Sequence, residues 1–388
     1  MERRSNRLAA FNSLSKRCEL IHTKSANEER IAVALAAAKT PAAKLLRPII
    51  IIGAGGITRD GHLPAYQKAG FPVCALVDVD RQKAENLAAR FRVPFATNSL
   101  EEALKASPRQ CVFDLAVPAS ALLSILRAIP DGAAVLMQKP MGESLLEAQA
   151  ILAVCREKGL TAAVNFQLRY APVMLLAKEL CRADLLGTVH DMEIQVNVYM
   201  PWELWSFLAT APRLEILYHS IHYIDLVRAW FGEPAGVYAK TVRSPRTPEL
   251  AATKSVVVFD YGDWKRVYLA TNHSHDFGPE MQRSFVQWEG TEGAIHATMG
   301  VNLNYPQGQS DSLKFSAGRE WRTLPVGGNW FPDAFIGSMG ALQAFLEGTM
   351  RELPNSVDHA IQTMRVVEAA YVSSERGGVP MSVTESST

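Results

Sequence analysis

A chain of 388 residues, 48% of them hydrophobic, is long enough for two domains and apolar enough to bury their cores. Its net charge of +1 excludes a global field that recruits nucleic acid or an anionic membrane. Residues 1–47 carry ten Lys/Arg against four Asp/Glu, which leaves the remainder at about −5, the wrong sign for a polynucleotide partner. Five scattered cysteines with no CxxC pair argue against a disulfide framework and for a reducing, cytoplasmic setting. No apolar run of about 18 residues marks a membrane span.

Residues 1–46 are basic, with a helix-like stretch from Asn27 to Ala38. They lack the continuous apolar core and cleavage site of a secretory signal, and Glu2, Glu19, Glu28 and Glu29 run against a transit peptide. The expectation is a non-catalytic extension. From Arg47 short apolar runs alternate with helical patterns, the signature of βαβ units. Strands are expected at Pro48–Ile52, Val73–Val77, Pro94–Ala96, Cys111–Val117, Ala133–Met137 and Leu160–Asn165. Helices are expected over Gly56–Ala69, Arg81–Phe91, Leu122–Ile129 and Glu143–Lys158, with Ser99 and Glu102 forming a capping box for another. Six strands so connected describe a doubly wound Rossmann domain with a parallel sheet, residues 47–169.

After Arg169 the pattern changes. A helix at Met174–Ala183 is followed by longer alternating runs at Val189–Tyr199, Gly236–Val242, Ser255–Asp260, Arg266–Asn272, Ser284–Glu289 and Gly293–Ala297. These read as a large, mostly antiparallel open sheet within a C-terminal α/β domain, residues 170–388. Helices are expected at Ile216–Phe231, Ala334–Glu347 and Val357–Arg376.

The turn Gly53-Ala54-Gly55-Gly56-Ile57-Thr58 joins the first strand to the first helix. Gly53 permits a tight turn, Gly55 lets a pyrophosphate approach the backbone, and the amides through Gly56, Ile57 and Thr58 open the helix toward it. The third glycine of GxGxxG is replaced by Thr58, so the turn alone is weak. Asp78 ends the second strand about 23 residues later. A carboxylate there accepts hydrogen bonds from adenosine ribose hydroxyls and repels a 2′-phosphate, favouring NAD over NADP. Arg81, one turn on, is the group that would pair with that phosphate instead. Val117, ending the fourth strand, falls on the same cofactor edge.

Gln138-Lys139-Pro140 sits at the carboxyl end of the fifth strand. Pro140 holds Lys139 out of the helical region, and a cis bond is compatible with that position. A lysine beside a nicotinamide can hydrogen-bond a substrate hydroxyl and lower its pKa in the transition state. A solvated surface lysine is the bland alternative. Further on, Tyr218, His219, His222 and Asp225 open a helix on which positions 218, 222 and 225 share one face. His222 can accept a carbinol proton. Its alternatives are a core or capping histidine. His219 and His222 are spaced for a metal, but no third ligand set stands nearby in sequence, and no metal is expected.

In order along about 330 residues, GAGGIT followed by His62-Leu63-Pro64-Ala65, ALVDVD around Asp78, QKP at Gln138–Pro140, NFQLRYAP at Asn165–Pro172, HYIDLVRAWFG at His222–Gly232 and VQWEGTEGAI at Val286–Ile295 resemble the Gfo/Idh/MocA family, named for glucose–fructose oxidoreductase and inositol dehydrogenase. The resemblance implies a Rossmann domain, a second domain whose open sheet lines the site and makes a homo-oligomer, a nicotinamide cofactor and a sugar or polyol substrate. It also implies catalytic roles for Lys139, from the family's EKP motif, and His222, from HxxD. Three positions depart from the family pattern. Gln138 replaces the EKP glutamate and is expected to alter contacts with the nicotinamide ribose. Tyr218 stands where an acid often precedes the histidine, and its phenol could bind substrate or relay a proton. In the stretch Ala119–Leu122 the family's histidine is replaced, mostly by apolar residues. Asn165, Arg169, His219, Trp202 and Glu215 are the substrate-edge candidates, with Trp205, Arg213, His273 and His275 behind them. The expected function is an NAD(P)-dependent oxidoreductase acting on a hydroxyl-bearing carbon. An NAD-dependent glycosidase or a non-catalytic NAD/sugar sensor on the same scaffold is the alternative.

Overall fold

The computed structural model describes residues 26–204 and 206–379. Residues 1–25 of the expected extension and Trp205 lie outside the described residues.

Helix α1 spans residues 26–37. It packs onto the body: Ile31 and Ala34 are buried, and Glu28 pairs with Arg322. The segment after it is tied down as well, with the Lys44 and Leu45 amides donating to the Glu347 carboxylate and Arg47 N to Gln343 Oε1 at 3.0 Å.

Six parallel strands follow: β1 (Ile49–Ile52), β2 (Val73–Val77), β3 (Ala96–Thr97), β4 (Val112–Leu115), β5 (Ala134–Met137) and β6 (Thr161–Val164). Their order in the sheet is β3-β2-β1-β4-β5-β6. Strands β1, β4 and β5 are buried along their whole length, as a parallel sheet covered on both faces requires. The covering helices are α2 (Leu63–Ala69), α3 (Arg81–Phe91), α4 (Leu100–Ala106), α5 (Ala119–Ala128) and α6 (Leu145–Glu157). Helix α2 is entered through a π-helical turn, Thr58–His62, where a continuous helix from Gly56 is expected. The Ser99 cap is present, but Glu102 reaches Thr97 Oγ1 rather than returning to the Ser99 amide, so the capping box is one-sided.

Register decides what meets at the sheet's carboxyl edge. Ile52 pairs with both Val77 and Leu115, Leu115 with Met137, and Met137 with Val164. The next residues, Gly53, Asp78, Ala116, Gln138 and Asn165, therefore leave the sheet at one level. The order of connections reverses between β1 and β4, and this crevice is where such sheets bind ligands.

Helix α7 (Pro172–Arg182) leads to the second sheet: β7 (Val189–Asn197), then α8 (Ile221–Phe231), β8 (Gly236–Val242), β9 (Lys254–Asp260), β10 (Arg266–Asn272), β11 (Arg283–Gly290), β12 (Ala294–Thr298), β13 (Ser312–Ser316) and β14 (Arg322–Leu324). Its order is β14-β13-β12-β11-β7-β10-β9-β8, antiparallel except where β7 runs parallel to β10. The short outer strands β13 and β14 lack a pattern that the sequence reading detects. Alternation puts Val257, Phe259, Val267, Leu269 and Trp288 in the core and leaves the other face open.

Helices α9 (Asp333–Glu347) and α10 (Val357–Arg376) return to the nucleotide domain. Phe335 of α9 stacks edge-on against His62 at 4.9 Å, and Arg156 of α6 pairs with Asp358 of α10. Helices from the end of the chain thus pack on those that cover the first sheet.

Candidate active site

The turn after β1 has the backbone that a dinucleotide needs. Gly53 has φ +110°, and a Cβ there would lie 2.2 Å from the Ala116 carbonyl oxygen and 3.2 Å from a Val117 methyl. Only glycine fits between β1 and β4 at this height. Gly55 and Gly56 are exposed, and nothing would meet a Cβ at Gly55 within 4 Å, so the helix entrance is open to a phosphate. Thr58 closes the turn from behind, its hydroxyl donating to the Gly53 carbonyl at 2.6 Å. That bond gives the residue in the third glycine's place a structural reason to be threonine.

Asp78 is half-buried beside this turn. Its Oδ2 accepts from the Ala54 amide at 2.7 Å and its Oδ1 from the Asp80 amide at 2.9 Å. The carboxylate is held by the loop it borders, with lone pairs left for a ribose. Arg81 is turned along its own helix, with Nε 2.8 Å from Glu85 at the surface. The cradle fits a nicotinamide dinucleotide.

Across the crevice, the Lys139–Pro140 bond is cis. Lys139 Nζ donates to the backbone carbonyl of Tyr218 at 2.7 Å, which joins the two domains at one atom. Burial pushes the Lys139 ammonium down to about 8. His222, on the first turn of α8, is buried with its Nδ1 unpartnered, and its ring meets Trp330 edge-on at 5.8 Å. Burial, and then the nearby Lys139 charge, hold His222 well below the ordinary histidine value, so its imidazole is neutral at pH 7. A neutral imidazole and a lysine weakened by burial thus lie within electrostatic reach of one another.

Tyr218 enters this arrangement through its main chain. Its hydroxyl donates to Glu143 Oε1 at 2.9 Å, and burial followed by the Glu143 carboxylate raises its pKa. The phenol's proton is thus directed at the Glu143 carboxylate.

Gln138 also departs from expectation. It is buried, and its Nε2 lies 2.6 Å from His62 Nε2, while His62 Nδ1 lies 2.6 Å from Asp114 Oδ2, which also accepts from Tyr66 at 2.7 Å. A carboxylate only accepts, so Nδ1 carries the proton and Nε2 of the neutral ring accepts from the Gln138 amide. Gln138 therefore faces His62 and fixes the strand end that presents Lys139. A glutamate in its place would set a second acceptor against the same nitrogen. The signal in the sequence is Asp114, a lone acid within an apolar strand.

The substrate-edge candidates separate. Arg169 is not free: its Nε and Nη2 clamp Asp225 at 2.8 and 2.5 Å and its Nη1 donates to the Pro354 carbonyl. Its charge is spent on holding α8. Arg213 is likewise engaged with Glu368 and the Tyr371 ring. Asn165 is wholly buried with both side-chain polar atoms unpartnered, at the level of Gln138. Glu215, His219 and Trp202 converge with His273, which follows β10. His219 and His273 stack at 4.5 Å, and Trp202 meets them edge-on at 5.2 and 6.2 Å. Burial, then His273, Lys139 and His222, lower the His219 pKa well below its usual value. His275 turns its ring toward Phe277.

Residues 47–166 match the family of oxidoreductases with an NAD-binding Rossmann fold, GFO_IDH_MocA. The chain is similar, at 25% identity over 84% of its length and 97% of the relative's, to D-xylose 1-dehydrogenase (NADP(+)) 2 of Haloferax volcanii. It is 24% identical to D-apiose dehydrogenase of Paraburkholderia graminis, over 84% of this chain and 87% of that one. Among solved structures, an oxidoreductase from Agrobacterium radiobacter in complex with NAD+, L-tartaric acid and magnesium shares the fold. Its TM-score is 0.72 at 17% identity, over 88% of this chain and 100% of that one.

Proposed function

Because the chain belongs to the Gfo/Idh/MocA family of NAD(P)-binding oxidoreductases, we propose that it oxidises or reduces a hydroxyl-bearing carbon of a sugar, sugar derivative or polyol. The carrying observation is that Lys139, whose ammonium reaches the Tyr218 carbonyl, acts electrostatically on the buried His222, whose Nδ1 has no partner.

When bound, the nicotinamide supplies the hydride acceptor or donor. The amides from Gly55 to Thr58 hold its pyrophosphate, and Asp78 accepts from the adenosine ribose, which favours NAD over a 2′-phosphorylated cofactor. The Lys139 ammonium donates to the substrate oxygen and stabilises its developing negative charge. His222 accepts the hydroxyl proton through its free nitrogen and returns it in the reverse direction. Trp202 and the unpartnered amide of Asn165 bound the remaining polar surface.

A panel of aldoses, sugar acids, lactones and inositols, followed by absorbance of the reduced cofactor, tests this reading. We expect turnover with at least one of them and a higher kcat/KM with NAD than with NADP. Silence with every substrate on both cofactors would overturn it, and glycoside cleavage without net reduction would select the glycosidase chemistry.

The open face of the second sheet supports a homo-oligomer, a dimer or tetramer. Tyr238 is 67%, Val256 47% and Val258 38% exposed, a run of apolar side chains on β8 and β9. Light scattering should find more than one copy, and V256K with V258K should shift the protein to monomer. A monomeric wild type would sink the assignment.

A further inference from the structure

We propose that Glu215, His219 and His273 form a three-ligand site for a divalent transition ion, with zinc the best match, beside Lys139 and His222. The oxygen of Glu215 and one ring nitrogen from each histidine lie within 4.8 Å of one another. Around a four-coordinate zinc such donors sit roughly 3.4 Å apart, a span that small rotations of the two imidazoles produce.

The cluster has the mark of a site that wants an ion. Glu215 Oε2 and His273 Nδ1 approach to 2.6 Å, yet without the alignment of a hydrogen bond, and neither atom has another partner. His219 Nδ1 is buried and unpartnered too. Three acceptor-capable atoms thus converge in an interior that disfavours polar groups without a hydrogen bond. Glu215 Oε1 is oriented from behind by the Ser220 hydroxyl at 2.9 Å, and Ser220 continues to Ser255. A ligating carboxylate is commonly held by such an outer hydrogen bond. Two imidazoles and one carboxylate select zinc over magnesium or calcium, which prefer all-oxygen shells.

The third ligand comes from another element. His222 is the histidine spaced for a metal in the sequence, but His219 finds its partner in His273, 54 residues on, at the end of β10. Three protein ligands leave one position of a tetrahedral ion for water or a substrate oxygen. The ion therefore extends the reach of the site toward a second oxygen of a polyhydroxylated ligand.

The test reads metal and not turnover, so it stands or falls apart from the proposed activity. Tag-free protein is stripped with a chelator, equilibrated with zinc, desalted and counted by mass spectrometry. Cobalt(II) is then titrated and its visible d–d bands recorded. We expect about one zinc per chain, tetrahedral cobalt bands, and a rise in Tm with zinc. His219→Gln and His273→Gln should each lower zinc affinity at least about 100-fold and abolish the Tm response, while His190→Gln, at an exposed position on β7, retains both. Zinc absent from folded wild type, or retained in full by the two glutamine variants, would overturn the proposal. A Tm that responds to zinc equally in all four proteins would also overturn it.

Discussion

Lys139→Met should cut kcat/KM for substrate oxidation by about 10²–10⁴-fold while leaving the protein folded, because the change removes a donor at the reacting oxygen and no structural partner beyond the Tyr218 carbonyl. The His222→Gln loss should be of similar size. The pH profile distinguishes their roles. Burial lowers the Lys139 pKa to about 8, so the donating ammonium dominates below that pH and is lost above it. Oxidation should therefore decline through about pH 8, with kcat/KM reporting the free enzyme. The charged and titratable groups facing Lys139 are His222 and His219, both kept neutral by burial, so neither supplies an acid limb near pH 7. In Lys139→Arg the alkaline decline should vanish, since a guanidinium does not titrate there. A wild-type rate that climbs through pH 8 would recast Lys139 as the base and remove it as the donor.

Asp225→Ala should destabilise the protein by about 3–5 kcal/mol, the cost of leaving a buried charge without its partner. The pair is well inside: the Arg169 side chain is 12% and the Asp225 side chain 2% exposed, and the Thr363 hydroxyl adds a third contact at 3.3 Å. Burial opposes the Arg169 charge, and Asp225 overrides it, raising the guanidinium pKa. The pair ties α8, which carries His222, to the segment after β6, which carries Asn165. Denaturant unfolding reads the stability, and Asp225→Asn, which keeps a hydrogen-bond acceptor, should lose less. If Asp225→Ala unfolds at the wild-type midpoint, the pair is not the clamp described here. The HxxD aspartate is on this reading a positioning residue for the histidine three before it.

Local pattern located much of this protein. Arg81–Phe91, Gly236–Val242, Arg266–Asn272 and Val357–Arg376 form the elements that their periodicity marks, because burial of one face is written directly into residue spacing. The cofactor turn was legible for the same reason. Strand, glycine turn and helix are contiguous, and Asp78 follows at the distance one βα unit sets. Lys139 could be placed because it ends a buried strand of that same sheet.

The other half of the site depends on partners that spacing does not name. Periodicity says that Glu215 and Asp114 are buried, or at least that their neighbours are, but not what they face. His273 joins Glu215 and His219 only because the Glu215 and His273 amides donate to the neighbouring Ala252 and Thr253 carbonyls. Gln138 turns to His62 only because π-helical Thr58–His62 brings that ring over β4. Arg169 looked like a substrate contact until the return of α8 and α10 supplied Asp225 and the Pro354 carbonyl. Tyr218 contributes a carbonyl where its side chain was the expectation. Residue order alone was enough to mark the strand–turn–helix of the first sheet and the alternating strands of the second. Tertiary structure alone decided which buried polar groups are spent on one another and which remain free, since a hydrogen bond depends on direction and reach across elements far apart in the chain.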